Sequence, residues 1–371
     1  MEMYKGWNRQ LSLGLFEREE EYNEPIAGGR PLCLMHGFEG EVSWEDKIID
    51  DKSEVTGTEF GLHQEILSYG AKISYKEPHV KPNTLIGLMA LTLGAVVSTK
   101  DGQSEAYSHR VSPLAPDHIL PSIPVEDIFG GLRYRYGGVK GDSIKIAGEA
   151  GGTISLDAEL LGSGTRTPFS RGVHARKVQE SWLKMSQCKL WLASGEAISL
   201  RDPLTQWGQD ISCDVARSLG GRFKSFEFNW NNKLEGRFGC GTGDGVFRDI
   251  DFIRREATFK LTLLFSDLAD IDLYERQEVI AIELDAQGEE IYPQGFDCSS
   301  PALRYGFHLI LPTLRLAKPP QPRGSVGDIL TCDLEFTVLD HDAHPVLIFA
   351  GQNKEPSYLQ KPKGDQIEIK E

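Results

Sequence analysis

Polar and apolar side chains alternate over residues 153–160, Thr-Ile-Ser-Leu-Asp-Ala-Glu-Leu, and again over residues 331–338, Thr-Cys-Asp-Leu-Glu-Phe-Thr-Val. A period of two places one set on each face of a β-strand. The acidic pairs of the two runs align at one offset, since 333 − 157 and 335 − 159 are both 176. Around them one order of elements occurs twice: strand, short helix, turn-rich connector, pair of alternating strands. A repeat of this size predicts two tandem domains of one fold.

In the first half, residues 69–76 alternate with Ile73 and Tyr75 on one face and Lys72, Ser74 and Lys76 on the other. Asn83 stands at a helix N-cap position, Leu85, Ile86, Leu88, Met89, Leu91 and Leu93 follow, and Gly94 can stop the helix. A helix apolar nearly all round must be covered on several sides. After a loop holding Tyr107, His109, His118 and Pro121, Gly137-Gly138 is expected to turn the chain between a strand at 132–136 and one at 143–146. Glu149-Ala150-Gly151-Gly152 suits a hairpin into the 153–160 strand.

In the second half, residues 225–231 (Ser-Phe-Glu-Phe-Asn-Trp-Asn), 257–265, 305–316 and 328–339 read as strands, and Asp267 as the cap of a short helix with Leu268 and Ile271. Residues 162–168 (Gly-Ser-Gly-Thr-Arg-Thr-Pro) resemble a linker. The expected division is an N-terminal arm or strand region over 1–50, a first domain over 51–165 and a second over 166–371. The second includes an unassigned segment, 175–220, with Trp182, Trp191 and Trp207. The charge run Glu17-Arg18-Glu19-Glu20-Glu21 reads as solvated surface.

Composition narrows the function. The 371 residues are 40% hydrophobic and 26% charged, as in folded proteins, and Gly 39 and Pro 19 suit a turn-rich β fold. A formal net charge of −15 argues against a phosphate-gripping nucleic-acid binder. Six cysteines without a C-x-x-C pair read as free thiols in a reducing compartment, with Cys332 at an apolar-phase strand position. No secretory signal is visible at the start. The longest apolar stretch, 85–97, is shorter than the roughly 20 residues a helix needs to cross a bilayer.

Candidate chemistry is thin. Asp340-His341-Asp342-Ala343-His344 is a compact His/Asp cluster, but its spacing is not that of a helical zinc motif and a polar turn after a strand is expected there. The glycine-rich run 239–245 lacks the Lys-Ser/Thr of a phosphate loop, and Cys240 has no base beside it. No nucleophile–base set stands out, so neither a catalytic residue, a metal site nor a cofactor is assigned, and the chain is read as a non-enzyme. Asp157, Glu159, Asp333 and Glu335 occur as i, i+2 pairs in both units, which suits a structural face better than one active site. Lys145 and Arg315, on the polar faces of preceding strands, are expected to pair with them.

The order strand, helix, long connector, Tyr134-Arg135-Tyr136-Gly137-Gly138, residues 144–147, Ala150-Gly151-Gly152 and the strand 153–160 ending at Gly162 resembles the tail tube (major tail) proteins of long-tailed bacteriophages. In the second half, residues 259–265, 267–274, 309–312 and 330–339 carry the same resemblance, which covers about 300 residues. It implies a mainly β (α+β) fold: two tandem β-sandwich domains, each with a short flanking helix, contributing hairpins to an inter-subunit β-barrel. It implies a structural virion protein that polymerises as stacked rings into the phage tail tube, enclosing the tape-measure protein and conducting DNA without binding it specifically. Tail terminator and baseplate or tail-tip proteins would be its other partners, with assembly in the host cytoplasm and no membrane contact. Two units per chain imply trimeric rings with pseudo-sixfold symmetry. Asp157, Glu159, Asp333, Glu335 and Glu227 are then expected to face the lumen as an acidic wall, and Leu85, Ile86, Leu88, Met89, Leu91, Leu93, Leu268 and Ile271 to pack between subunits. A baseplate or tail-tip ring component, and a carbohydrate-binding β-sandwich using the tryptophans, are the alternative readings.

Overall fold

The computed structural model describes residues 9–23, 35–36, 39–50, 64–102, 104–129, 132–169, 180–194, 217–238, 245–266, 269–292, 303–325, 329–340 and 345–360. The chain opens with strands β1 (Gln10–Leu13), β2 (Met35–His36) and β3 (Glu39–Trp44). A hairpin of β4 (Lys47–Asp50) and β5 (Gln64–Ser68) precedes β6 (Ala71–Glu77) and helix α1 (Pro82–Leu93). Next come β7 (Gly94–Lys100), β8 (Tyr107–Pro113), β9 (Ile123–Phe129), the long β10 (Leu132–Glu149), β11 (Ile154–Gly162) and β12 (Arg166–Pro168). Then follow β13 (Cys188–Ser194), β14 (Arg217–Ser218), β15 (Phe223–Asn231), the hairpin β16 (Leu234–Phe238) and β17 (Phe247–Phe252), and β18 (Glu256–Leu264). Helix α2 (Ala269–Glu275), β19 (Ile280–Tyr292), β20 (Leu303–Leu316), β21 (Gln321–Arg323), β22 (Thr331–Val338) and β23 (Ile348–Asn353) end the list.

The fold is mainly β, as expected, and every pairing between these strands is antiparallel. A front sheet runs β3-β6-β11-β10-β15-β18-β22-β21. A back sheet runs β14-β13-β19-β20-β23-β8-β7. Strand β20 belongs to both, because its last residues, Leu314 to Leu316, also pair with β22. The first half of β10 leaves the front sheet to pair with β9 and β12, and β9 carries β1. Among the described residues the pairing does not close on itself: β3 and β21 are open rims of the front sheet.

The front sheet contains one four-strand pattern twice. In the first set, β3 pairs with β6, β6 with β11 and β11 with β10. In the second, β15 pairs with β18, β18 with β22 and β22 with β21. In each set a two-stranded hairpin (β4–β5, β16–β17) separates the first strand from the second, and a helix follows the second. The last strand of the first set is hydrogen-bonded to the first strand of the second, β10 to β15, over seven opposed residues from Ser143↔Asn231 to Glu149↔Ser225. The two halves therefore share one sheet and one core. That core takes the apolar phase of the six inner front strands, including Ile73, Leu156, Ile146, Phe228, Phe259 and Leu334.

Helix α1 starts with Pro82 at N1 and ends on Gly94 at φ 96°, a left-handed value that favours glycine. Asn83 is not its N-cap. Lys81 holds that position without a side-chain cap, while the Asn83 N–H donates to the Glu180 carboxylate at 2.7 Å and its side-chain oxygen accepts from the Tyr358 hydroxyl at 2.8 Å. All twelve helical residues are buried between β10 of the front sheet and β7, β8, β20 and β23 of the back sheet. Leu85, Ile86, Leu88, Met89, Leu91 and Leu93 thus have no surface left to offer a neighbouring subunit, which corrects the packing role expected of them. Ile271 of α2 is half-buried, and Asp267 and Leu268 lie outside the described residues.

Other expectations also change. Gly137-Gly138 does not turn the chain: β10 runs straight through, with a bulge between Tyr136 and Val139 and Gly138 at φ 63°. Space explains the residue, because a Cβ on Gly138 would lie 2.9 Å from Ser163 and from the Tyr22 ring. Residues 162–168 are not a free linker, since β11 reaches Gly162, Ser163 is buried and β12 pairs with β10. The described part of the N-terminal region packs on its own chain through Leu11, Leu13, Leu15 and Phe16. Glu19, expected in a solvated run, is buried. It accepts hydrogen bonds from Ser122 and the Gly138 N–H, yet burial still raises its carboxyl above the usual range. His109, expected in a loop, is buried in β8. Within the unassigned 175–220 segment, Trp191 lies in β13 and Trp182 packs on His79, whereas Trp207 lies outside the described residues. Cys188 and Cys332 are free, and Cys332 is buried as its strand phase predicts. Cys33, Cys213, Cys240 and Cys298 lie outside the described residues.

One side chain ties the two halves at the β10·β15 joint. Buried Asn232 donates to the carbonyls of Thr92 and Gly141, both at 2.8 Å, and accepts from the Trp230 indole at 2.9 Å. The end of α1, Gly141 of β10 and the end of β15 are held by one amide. Replacing Asn232 with Ala leaves two carbonyls and an indole N–H without that partner inside the core. The expected cost is on the order of 3 kcal/mol, read as a lower urea midpoint at unchanged m-value.

Candidate functional site: the polar face of the front sheet

The outward phase of the front sheet is polar from rim to rim. Cross-strand partners share a face in an antiparallel sheet, so the register fixes the rows. One row reads Lys76, Asp157, Lys145, Asn229, Thr258, Thr337 across β6, β11, β10, β15, β18 and β22. A neighbouring row reads Ser155, Ala147, Glu227, Lys260, Glu335 across five of the same strands. All five acids singled out in the sequence, Asp157, Glu159, Glu227, Asp333 and Glu335, lie on this one face. Each is exposed or half-exposed, while its apolar strand neighbours are buried behind it.

The face is not a uniformly acidic wall, and this corrects the expectation. Lys145 and Lys260 hold Glu227 at 2.6 and 3.3 Å, and the Asn229 amide donates to it at 2.9 Å. Lys72 pairs with Glu159 at 2.9 Å. Arg323 lies 3.3 Å from Asp333, which also accepts from the Thr262 hydroxyl at 2.9 Å, and Lys318 pairs with Glu335. Lys145 was expected to pair with the repeated acids of β11 or β22, and it goes instead to Glu227. The reason is that β10 faces two strands at once, β11 and β15. Opposite charges therefore alternate across strands, so the chain's excess of negative charge is not concentrated here.

Where β10, β15, β18 and β22 meet, the face dips into a groove of about 850 Å³ lined by Glu227, Lys260, Lys318, Arg323, Asp333 and Glu335. Every one of these side chains has an ionic partner within the set or next to it. Glu227 shows the result. Partial burial pushes its carboxyl up, but the hydrogen bonds from Lys145 and Asn229 and the two ammonium charges outweigh burial and bring it down to about 2. A carboxylate held ionised in this way is a poor general acid or base at neutral pH. The groove offers polar, paired surface and no activated nucleophile.

Two buried polar clusters bring together side chains from different strands that the sequence reading did not connect. On the back sheet, Glu283, Asp285 and His308 are buried together. Burial raises the Asp285 carboxyl to about 6, opposed by the nearby His308. Beneath β7, Ser98 Oγ lies 2.8 Å from His109 Nδ1, and His109 Nε2 lies 3.0 Å from Asn353 Oδ1. Asn353 in turn donates to the Tyr358 hydroxyl at 2.7 Å. Burial lowers His109 to about 4, so the ring is neutral at pH 7 and the chain of hydrogen bonds reads as a tie for the segment that carries Tyr358. Among the described residues no group of three or more His, Cys, Asp or Glu side chains could hold a metal ion. Residues 341–344, the His/Asp run, and 239–244, most of the glycine-rich run, lie outside the described residues. No described helix is long and apolar enough to cross a membrane.

Compared with models of known protein families and with curated proteins, the chain matches none.

The Glu227 ion pairs set a pH dependence. Its folded value lies below the ordinary 4.5, so its contribution to stability is complete above pH 4.5 and is lost as the pH falls towards 2. Thermal unfolding of Glu227→Gln beside the unaltered protein should show the widest gap in midpoint above pH 5, closing by pH 2. A gap that stays constant over that interval would show that the ion pairs contribute nothing.

Proposed function

We propose that this chain is a structural subunit of a hollow tube of the long-tailed bacteriophage tail type, with the polar face of the front sheet turned towards the lumen. The observation that carries this reading is the repeated four-strand set. Two copies are already joined edge to edge within one chain, and the outer rims β3 and β21 remain open among the described residues. An open rim is a hazard that evolved β proteins cover, blunt or close. Heterologous contacts between copies close into a ring when the rotation permits, and a ring leaves no rim.

Three chains would supply six sets, the number the family resemblance implies. Stacked rings would enclose the tape-measure protein and later conduct DNA, with tail terminator and baseplate proteins at the two ends. Asp157, Glu159, Glu227, Asp333 and Glu335 would line the wall together with their lysine and arginine partners. A wall of neutralised pairs neither grips phosphate as a basic surface would nor offers it an apolar surface, which suits a conduit.

Negative-stain microscopy of the purified protein at rising concentration tests the reading. Hollow filaments or stacked rings are the expected result. A chain that stays monomeric at high concentration in every buffer overturns it.

A further inference from the structure

Resting on that reading, we infer that copies join by repeating the internal β10·β15 joint, so that β21 of one copy pairs antiparallel with β3 of the next and Arg323 stands opposite Glu41. The register follows from the pairings alone. In β11 and β22, Asp157 corresponds to Asp333, an offset of 176. Lys145 faces Asp157 and Gln321 faces Asp333. Ala147 faces Ser155 and Arg323 faces Thr331. The same offset thus carries β10 onto β21 and Ala147 onto Arg323, since 323 − 147 is 176.

For the other rim, Lys76 faces Asp157 and Thr262 faces Asp333, so β6 maps onto β18 at 262 − 76, or 186. Glu41 faces Ser74 and Glu227 faces Lys260. Both steps give 186, and Glu41 therefore corresponds to Glu227. Within the chain Ala147 stands opposite Glu227. Carried to the rims, the same geometry sets Arg323 opposite Glu41 of the neighbour.

Three observations independent of that construction agree with it. Glu41-Val42-Ser43-Trp44 and Glu227-Phe228-Asn229-Trp230 share the acid and the tryptophan at the mapped positions. Trp230, at the internal joint, is 3% exposed, whereas Trp44, at the open rim, is 49% exposed. The rims also carry opposite charge: Glu39 and Glu41 are exposed on β3, and Arg323 is exposed on β21. An acid at one rim and a base at the other favour head-to-tail contact over contact between like rims.

The β21 rim is short and carries Pro322, which removes one donor, so the joint needs its charge pair and the cover it gives Trp44 as well as main-chain hydrogen bonds. That makes it sensitive to charge. Glu41→Arg and Arg323→Glu, each alone, should raise the concentration needed for assembly about tenfold or more, while the double variant should return close to the unaltered protein. Both side chains are exposed, and unchanged circular dichroism and unfolding midpoint confirm that the single variants fold. In addition, Glu41→Cys with Arg323→Cys in one chain should give disulfide-linked multimers on oxidation, with peptides containing positions 41 and 323 joined in mass spectrometry. If the unaltered protein assembles but the single variants assemble equally well and positions 41 and 323 do not cross-link, the joint is wrong and the tube reading stands. If the unaltered protein never assembles, both fall.

Discussion

The ladder between β10 and β15 is the constraint on which the rest of the molecule depends. It is formed by main-chain groups over seven opposed residues and tied at one end by Asn232, which reaches the end of α1 and Gly141 of β10. Without it the two four-strand sets would each present another raw edge, and the polar face would be split. With it, Ile144 and Ile146 of one set continue into Phe228 and Trp230 of the other, and a single core forms behind the sheet. The charged rows in front are aligned by the same register. Lys145 reaches Glu227 across the seam between the halves because the ladder puts β10 and β15 side by side.

Burial and charge are divided between the two faces of the front sheet. From β6 to β22 the inward phase is mostly apolar, with Glu77 as a buried exception, and the outward phase carries acids and bases that neutralise one another across strands. Pairs on an exposed face contribute little stability individually, so their distribution is better understood as shaping the surface than as holding the fold. The buried helix α1 has the opposite task. With all its residues covered, it fills the space between front and back sheets and is not available for contacts between copies.

Much of this was legible in the chain. Period-two alternation located β6, β11, β15, β18 and β22, with ends correct to within a few residues, because a strand with one buried face must alternate; β20 was read from its leucines although Gly306 to Leu314 are all buried. The offset of 176 between acidic pairs proved to be a true structural correspondence, with β11 and β22 in the same place in their sets. That the five acids share a face followed from strand phase once the strands lay in one sheet. Less legible were strands buried on both sides. Strand β19 is buried without a break from Ile280 to Ala286, so the alternation of Glu283 and Asp285 with apolar neighbours resembles a solvent-facing phase that the fold does not have. Gly137-Gly138 misled because the same residues that permit a turn also permit a bulge, and only the approach of Ser163 and Tyr22 distinguishes the two.

By itself the sequence determined the local and the repeated: the β10–β11 hairpin, the apolar phase of the alternating strands, where α1 must end, and that one pattern occurs twice. These depend on neighbours a few positions away, or on comparison of one half with the other. Only the tertiary structure decided which strand lies beside which at long range. The seam joins β10 to β15, with opposed residues from 76 (Glu149↔Ser225) to 88 (Ser143↔Asn231) positions apart, and nothing in either strand names its partner, because main-chain hydrogen bonds are the same for every sequence. From that one pairing come the continuous core and the Lys145 partner of Glu227, while the buried Glu19 and His109, the enclosed helix and the two unlike rims come from other long-range contacts. Each depends on what stands opposite a residue in space, which the order of residues along the chain does not state.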